Sequence, residues 1–233
     1  MTKHVPPPQE TVLPSPIDMN TLDVREANYF PTQVFSVQLP DTQAAPLNAR
    51  LLELIQSARA KDEAGIQRSN FRALGGWHSQ NHLHREPEYA PLVSLIGGMS
   101  DHISTANGYS ETHRLEIGTM WSIVNPPGSF NRAHIHPSCL WSGVYYVQTP
   151  PDCGKIEFID PRTQNHITPP KFQSGKRRPR KTWSKVRVTP EPGKLLIFPS
   201  WLFHGVDPNL CEEEGEGANR VIVSFNLNQR RAG

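Results

Sequence analysis

The densest chemistry in this chain lies in Asn131-Arg-Ala-His134-Ile-His136-Pro-Ser-Cys-Leu-Trp-Ser142-Gly143-Val-Tyr145-Tyr146-Val147. In an extended segment side chains alternate between faces, so His134 and His136 point the same way, about 7 Å apart along the backbone, and can grip one metal ion. A pair carried on one strand fills two coordination positions, and the remainder must come from elsewhere in the chain. Lys194-Leu-Leu-Ile-Phe-Pro199-Ser-Trp-Leu-Phe-His204 is an apolar strand that ends in a Pro-containing turn and delivers His204 at its exit. Beyond an acidic loop, Arg220-Val-Ile-Val-Ser224-Phe-Asn226-Leu is a β-branched strand that opens with an arginine.

A redox metal that binds O2 needs open positions, so the protein should occupy one triangular face of the coordination octahedron, as in the 2-His-1-carboxylate pattern. His134, His136 and His204 offer three ligands in that arrangement. The remaining positions would hold a bidentate 2-oxo acid and O2. Such an acid has a remote carboxylate, which Arg220 can meet with a bidentate fork. His78, His82 and His84 lie outside the constellation and read as surface or hydrogen-bonded residues. Trp121, Trp141 and Trp201 read as core or pocket-wall side chains.

The elements that must position these residues are short. From Leu115 onward the pattern is one of strands: 116–124, 140–148, 155–159, 186–188, 194–198 and 221–227, separated by Gly and Pro. An earlier strand is expected over 34–39. Leu47, Leu51, Leu54 and Ile55 recur at helical spacing, with Asp41 or Thr42 near the helix start and Gly65 past its end. A second helix over 91–104 carries Leu92, Leu95, Ile96, Met99 and Ile103 on one side, with Gly97-Gly98 interrupting its propensity. Two helices followed by six or more strands without β-α-β alternation indicate an α+β chain whose catalytic half is a sheet sandwich or barrel.

The chain has 233 residues, of which 23 are prolines and 16 glycines, consistent with one turn-rich domain. Residues 1–28 read as a Pro-rich extended arm and residues 29–233 as the single domain. A net charge of +2 is too mild to make the whole molecule a nucleic-acid binder. Three cysteines, Cys139, Cys153 and Cys211, have no CxxC spacing and argue for a reducing compartment. With no signal-peptide core and no bilayer-length apolar run, a soluble cytoplasmic protein is expected, without a membrane partner. Lys171, Lys176, Arg177, Arg178, Arg180, Lys181, Lys185 and Arg187 make the loop at 171–187 basic, which reads as a solvated loop or as one that attracts an anionic substrate or nucleic acid.

Several segments together resemble a group of Fe(II)/2-oxoglutarate-dependent oxygenases of bacteria and phages. They are Tyr29-Phe-Pro-Thr, Gly75-Gly-Trp-His-Ser, Trp121-Ser-Ile-Val-Asn125, the 131–147 block, Pro192 to His204, and Arg220 to Asn226. The resemblance spans roughly residues 29–228 and implies a double-stranded β-helix, or jelly-roll, core with N-terminal flanking helices. It also implies Fe(II), 2-oxoglutarate as cosubstrate and O2. His134, His136 and His204 become the metal ligands and Arg220 the 2-oxoglutarate carboxylate partner, with Tyr145, Ser224 or Asn226 adding hydrogen bonds. Most of the wider superfamily has HxD or HxE where this chain has His134-Ile-His136. Glu157, Asp160 or Asp207 therefore stand as alternative oxygen ligands, and the interval from His204 to Arg220 is long for the pattern.

Two other classes fit parts of the pattern. Gly128 followed by His134-x-His136 matches the opening of a cupin, although the glutamate expected shortly afterwards is absent. A non-catalytic interaction protein with a structural Zn(II) also accepts three histidines. Arg220 separates these classes, since only a 2-oxo acid gives it a partner. The substrate, the oxidative outcome and the assembly state are open at this level.

Overall fold

In the computed structural model, which describes residue 20 and residues 22–232, the two expected helices and the expected strands come in the predicted order, with short elements between them that the pattern did not mark. The elements are β1 (Phe35–Gln38), α1 (Asp41–Lys61), α2 (Ala64–Arg68), β2 (Trp77–His78), α3 (Ala90–Ala106), β3 (His113–Asn125) and β4 (Asn131–His134), then β5 (Trp141–Gln148), β6 (Ile156–Ile159), the one-turn α4 (Gln164–Ile167), β7 (Lys185–Val188), β8 (Lys194–Pro199), β9 (His204–Val206) and β10 (Arg220–Arg231), besides short 3-10 turns. The described chain separates into one unit ending at Thr32 and another over Gln33–Gly233. The first holds a local Arg25–Asp23 ion pair at 2.6 Å, and most of the expected Pro-rich arm lies outside the described residues.

Two antiparallel sheets make up the second unit. The larger runs β1-β8-β5-β10-β3-β2 and the smaller β4-β9-β6-β7. Strand alternation gives the large sheet two different faces. On β10, Val221, Val223, Phe225 and Leu227 join one core, whereas Ile222 joins a second core that bridges the two sheets. On β5 the same parity puts Trp141, Tyr145 and Val147 in the first core and Val144 and Tyr146 in the second.

The first core is closed by helices. Ala44, Asn48, Leu51 and Ile55 are the buried stripe of α1, and Leu92, Ile96, Ser100 and Ile103 that of α3. Leu51 and Ile55 have no exposed surface, and burial of each contributes about 1.5–3 kcal/mol. α3 continues unbroken through Gly97-Gly98, two exposed positions where a side chain would meet nothing. The pair lowers propensity without breaking the helix, which its buried stripe holds in place. No described helix is long and apolar enough to cross a membrane.

The long interval between His204 and Arg220 is taken up by an anchored loop. Asn209 is fully buried and donates from Nδ2 to the carbonyls of Asn125 (3.1 Å) and Ala218 (3.0 Å). Its backbone also exchanges bonds with Ser129 and Gly128. The acidic tip can therefore be long while both flanking strands stay in register.

Candidate active site

His134 is the last residue of β4 and His204 the first of β9, and the two are directly paired across the strands. His136 lies past the end of β4, where its backbone N–H donates to the Ser200 carbonyl at 2.9 Å. A single extended His-x-His strand was expected. The chain instead leaves the strand after His134 and turns, with Ser138 in a left-handed conformation (φ 67°). Ring centroids are 4.4 Å apart for His134–His204 and 5.1 Å for both other pairs. One nitrogen from each ring falls within 4.8 Å of the other two.

Backbone carbonyls fix two of the three tautomers. His134 Nδ1 lies 2.7 Å from the Arg132 carbonyl and His204 Nδ1 lies 2.8 Å from that of Leu202. A carbonyl only accepts, so each Nδ1 carries the proton and each Nε2 presents its lone pair. Burial holds His204 near a pKa of about 3 and, together with the charge of His134, holds His136 near about 4. These rings are neutral at physiological pH, as metal ligands must be.

Each alternative carboxylate is held in other contacts. Glu157 pairs with Lys185 at 2.7 Å and Arg187 at 3.0 Å. Asp160 accepts from Arg162 and Asn165, bonds that hold its pKa near about 2. Asp207 faces Arg187 at 3.4 Å. The only group of three or more His, Cys, Asp or Glu side chains near enough to share an ion, among the described residues, is the three histidines.

The histidines open onto a cavity of about 210 Å³ between the sheets. Its wall includes Trp121 and Ile123 of β3, Ser142, Val144 and Tyr146 of β5, and Arg220, Ile222 and Ser224 of β10. Arg220 is 1% exposed; its Nη1 donates to the Cys153 carbonyl, while its Nη2 has no partner. An orphaned guanidinium nitrogen in a buried wall marks a place for an anionic acceptor. Gly154 makes this possible. At φ 90°, a Cβ there would overlap the Asp207 carbonyl and sit 2.8 Å from Arg220 Nη1.

Three expected cosubstrate contacts separate here. Ser224 lines the cavity. Tyr145 does not: it points into the helical core and donates to Asn48 Oδ1 at 2.7 Å. The strand's parity places Tyr146 in the cavity instead, beside Arg220, and counting alternation from Ser142 would have found it. Asn226 is one step beyond the lining, with Oδ1 accepting from Ser142 at 2.8 Å and Nδ2 donating to Thr119 at 3.1 Å. From there its amide interacts with the His136 ring.

The aromatic residues divide similarly. Trp121 lies stacked between His78 and His136, at 5.9 Å and 6.2 Å, so His78 belongs to the cavity wall although it is no ligand. Trp141 is buried, but Trp201, expected in the core or pocket wall, is 51% exposed. The basic loop contributes nothing to the cavity lining. Lys185 and Arg187 are spent on Glu157, and Arg178 stacks over Phe172 at 3.7 Å.

Residues 119–226 match the profile of a family described as "Putative 2OG-Fe(II) oxygenase". No curated protein matches the chain. Among solved structures, the chain is similar to a prolyl-4-hydroxylase of Pseudomonas putida, with 17% identity, TM-score 0.53, and 84% of this chain and 92% of that one covered. It is also similar to a prolyl hydroxylase of Trichoplax adhaerens in complex with a hypoxia inducible factor oxygen degradation domain peptide fragment, with 18% identity, TM-score 0.55 and coverages of 84% and 83%. A third is the epimerase SnoN from nogalamycin biosynthesis, in complex with Fe3+, alpha ketoglutarate and nogalamycin RO, with 13% identity, TM-score 0.56 and coverages of 85% and 81%. These likenesses show the fold: the two sheets form a double-stranded β-helix flanked by the N-terminal helices.

Proposed function

We propose that this chain, whose residues 119–226 form a domain of the 2OG-Fe(II) oxygenase family, is a 2-oxoglutarate-dependent non-heme iron dioxygenase that hydroxylates its substrate. The observation that carries the reading is Arg220, a buried guanidinium with an unpartnered Nη2 in the wall of the cavity that the three histidines enter. Cupin and structural-zinc readings leave that arginine without a purpose.

The residues fit the implied cofactors. His134, His136 and His204 would hold Fe(II) through Nε2, the atom that the Nδ1 contacts leave free on His134 and His204. When bound, iron and 2-oxoglutarate supply an oxidant from O2 as the keto acid loses CO2. The chain's own contribution is positioning. Arg220 pairs with the distal carboxylate, and the Tyr146 and Ser224 hydroxyls add polar contacts along the same wall. Ile123, Val144, Phe198 and Ile222 exclude water, which strengthens each charged contact. Three free cysteines, two of them buried, suit a reducing compartment, and we assign the protein to the cytoplasm.

The test is anaerobic titration of the Fe(II)-loaded protein with 2-oxoglutarate, followed by visible absorption. A charge-transfer band should grow to saturation in the wild type. Its absence, with iron bound and the fold intact, overturns the assignment.

A further inference from the structure

Beside the metal cavity lies a second hollow of about 430 Å³, lined by Asn70, Phe71, Phe130, Asn131, Arg132 and His134. Asn70, Asn131 and His134 line both spaces, so the two join across the face of His134. The activity proposed above uses only the inner one.

The outer hollow has two chemical features. Phe71 and Phe130 form a tilted aromatic pair, with centroids 5.3 Å apart, and Phe130 is 37% exposed. Both rings offer apolar surface to a visitor. Arg132 is exposed, and its guanidinium has no hydrogen-bond or ion-pair partner among the described residues. Its backbone carbonyl is the one that holds His134 Nδ1, so the free cation stands two residues from a candidate ligand. Neither lining contains an aspartate or glutamate.

Charge balance points the same way. Three neutral imidazoles leave Fe(II) at +2, where a carboxylate ligand would leave +1. A 2-oxoglutarate dianion against iron and Arg220 then leaves the filled site with a net positive charge, and Arg132 adds to it. An anion entering over His134 meets attraction from both sides.

We propose that the outer hollow is the site of the substrate to be oxidised, and that this substrate is an anion with a flat apolar body. A carboxylate or phosphate would sit on the Arg132 fork, the apolar body against Phe71 and Phe130, and the reacting carbon toward His134. This inference rests on the oxygenase reading and names its substrate class. It also moves anion recognition from the basic loop at 171–187, which reaches neither hollow, to the mouth of the site.

The experiment uses the full chain loaded with Zn(II) and saturating 2-oxoglutarate, so that Arg220 is occupied. Dissociation constants are measured by ligand-observed NMR for 3-phenylpropionate, phenyl phosphate and the neutral 3-phenylpropionamide. At least one anion should bind about tenfold or more tightly than the amide, and the tighter of the two identifies the preferred group. Arg132→Gln should abolish that preference and leave amide binding unchanged, whereas Phe130→Ala should weaken all three. Equal binding of anions and amide, or an Arg132→Gln variant that keeps the preference, overturns the inference. Competition by 2-oxoglutarate itself is read in the same samples. If the wild type fails to bind 2-oxoglutarate, the oxygenase reading falls, and the ranking of the three probes still decides the outer site.

Discussion

The Nε2 atoms of His136 and His204 lie 3.3 Å apart in the wall of the cavity. The His204 proton is committed to the Leu202 carbonyl through Nδ1, so its Nε2 can only accept. Without a metal, His136 relieves the clash of lone pairs by donating from its own Nε2. A bound metal would take both Nε2 lone pairs and leave the His136 proton on Nδ1. The three rings could hold a cation, and what surrounds His136 would decide how readily they take one.

The first consequence concerns acid. In the metal-free protein His136 and His204 stay neutral down to about pH 4 and 3, while in the unfolded chain each titrates near 6.5. Below pH 6.5 the unfolded state therefore binds protons that the folded state refuses. Stability from these groups is complete above pH 6.5 and is lost as pH falls toward 4 and then 3, by at most about 1.4 kcal/mol per pH unit for each ring. The loss should be smaller for the less buried His136. Urea unfolding at pH 7, 6 and 5 should show the decline, and His204→Gln should flatten it. The acid loss that comes from Asp160, whose folded pKa is near 2, begins only below its ordinary value of 3.8 and is separable.

Asn226 is the partner of the third imidazole. Thr119 and Ser142 fix its amide, with the oxygen accepting from Ser142 and the nitrogen donating to Thr119. A partner of this kind stabilises the tautomer that a metal needs and typically changes metal affinity by about ten- to a hundredfold. Asn226→Leu should therefore bind Co(II) that much more weakly with an unchanged circular dichroism spectrum. Asn226→Asp, which keeps an acceptor, should recover most of the loss. Equal Co(II) affinity in Asn226→Leu would remove Asn226 from the site.

Much of this was legible in the sequence because parity and apolar runs survive folding. The eight-residue run of β5 and the β-branched β10 could hardly be anything but strands, and the His204 turn followed from Pro199. What was illegible depended on a one-residue frame or on distant packing. Tyr145 and Tyr146 are chemically identical, and only the faces of β5 separate them. His78 and Asn70 reach the cavity because β2 pairs with β3 and the preceding turn folds over it, a long-range juxtaposition with no local signal. The lysines and arginines of 171–187 looked free as a string, but Arg187 sits on β7 opposite Glu157 of β6, and Lys185, opposite Ile159, reaches the same carboxylate diagonally.

The Arg220 site rests on a glycine. Gly154→Ala forces a side chain into the space between the Asp207 carbonyl and Arg220 Nη1, at a φ of 90° that alanine disfavours. We expect a stability loss of more than about 1 kcal/mol. We also expect a weaker 2-oxoglutarate complex, because the guanidinium must move. Arg220→Gln should raise the 2-oxoglutarate Kd by about ten- to a hundredfold through loss of the charged fork, while iron content stays constant. Both are read from the charge-transfer titration. Unchanged affinity in Arg220→Gln would mean that the distal carboxylate binds elsewhere.

The adjacent tyrosines provide the sharpest internal control. Tyr145→Phe removes the donor to buried Asn48 Oδ1 on α1 and leaves that oxygen without its 2.7 Å bond. The cost should be about 1–3 kcal/mol in denaturant unfolding, with 2-oxoglutarate affinity untouched. Tyr146→Phe removes a hydroxyl that lines the cavity near Arg220. Its stability should change by less than about 1 kcal/mol, whereas 2-oxoglutarate binding should weaken several-fold. Each substitution deletes a single oxygen, and the residues are neighbours in sequence, so composition and strand propensity are matched. If Tyr145→Phe weakened cosubstrate binding and Tyr146→Phe did not, the two faces of β5 would be assigned the wrong way round, and the account of the Arg220 wall would fail with them.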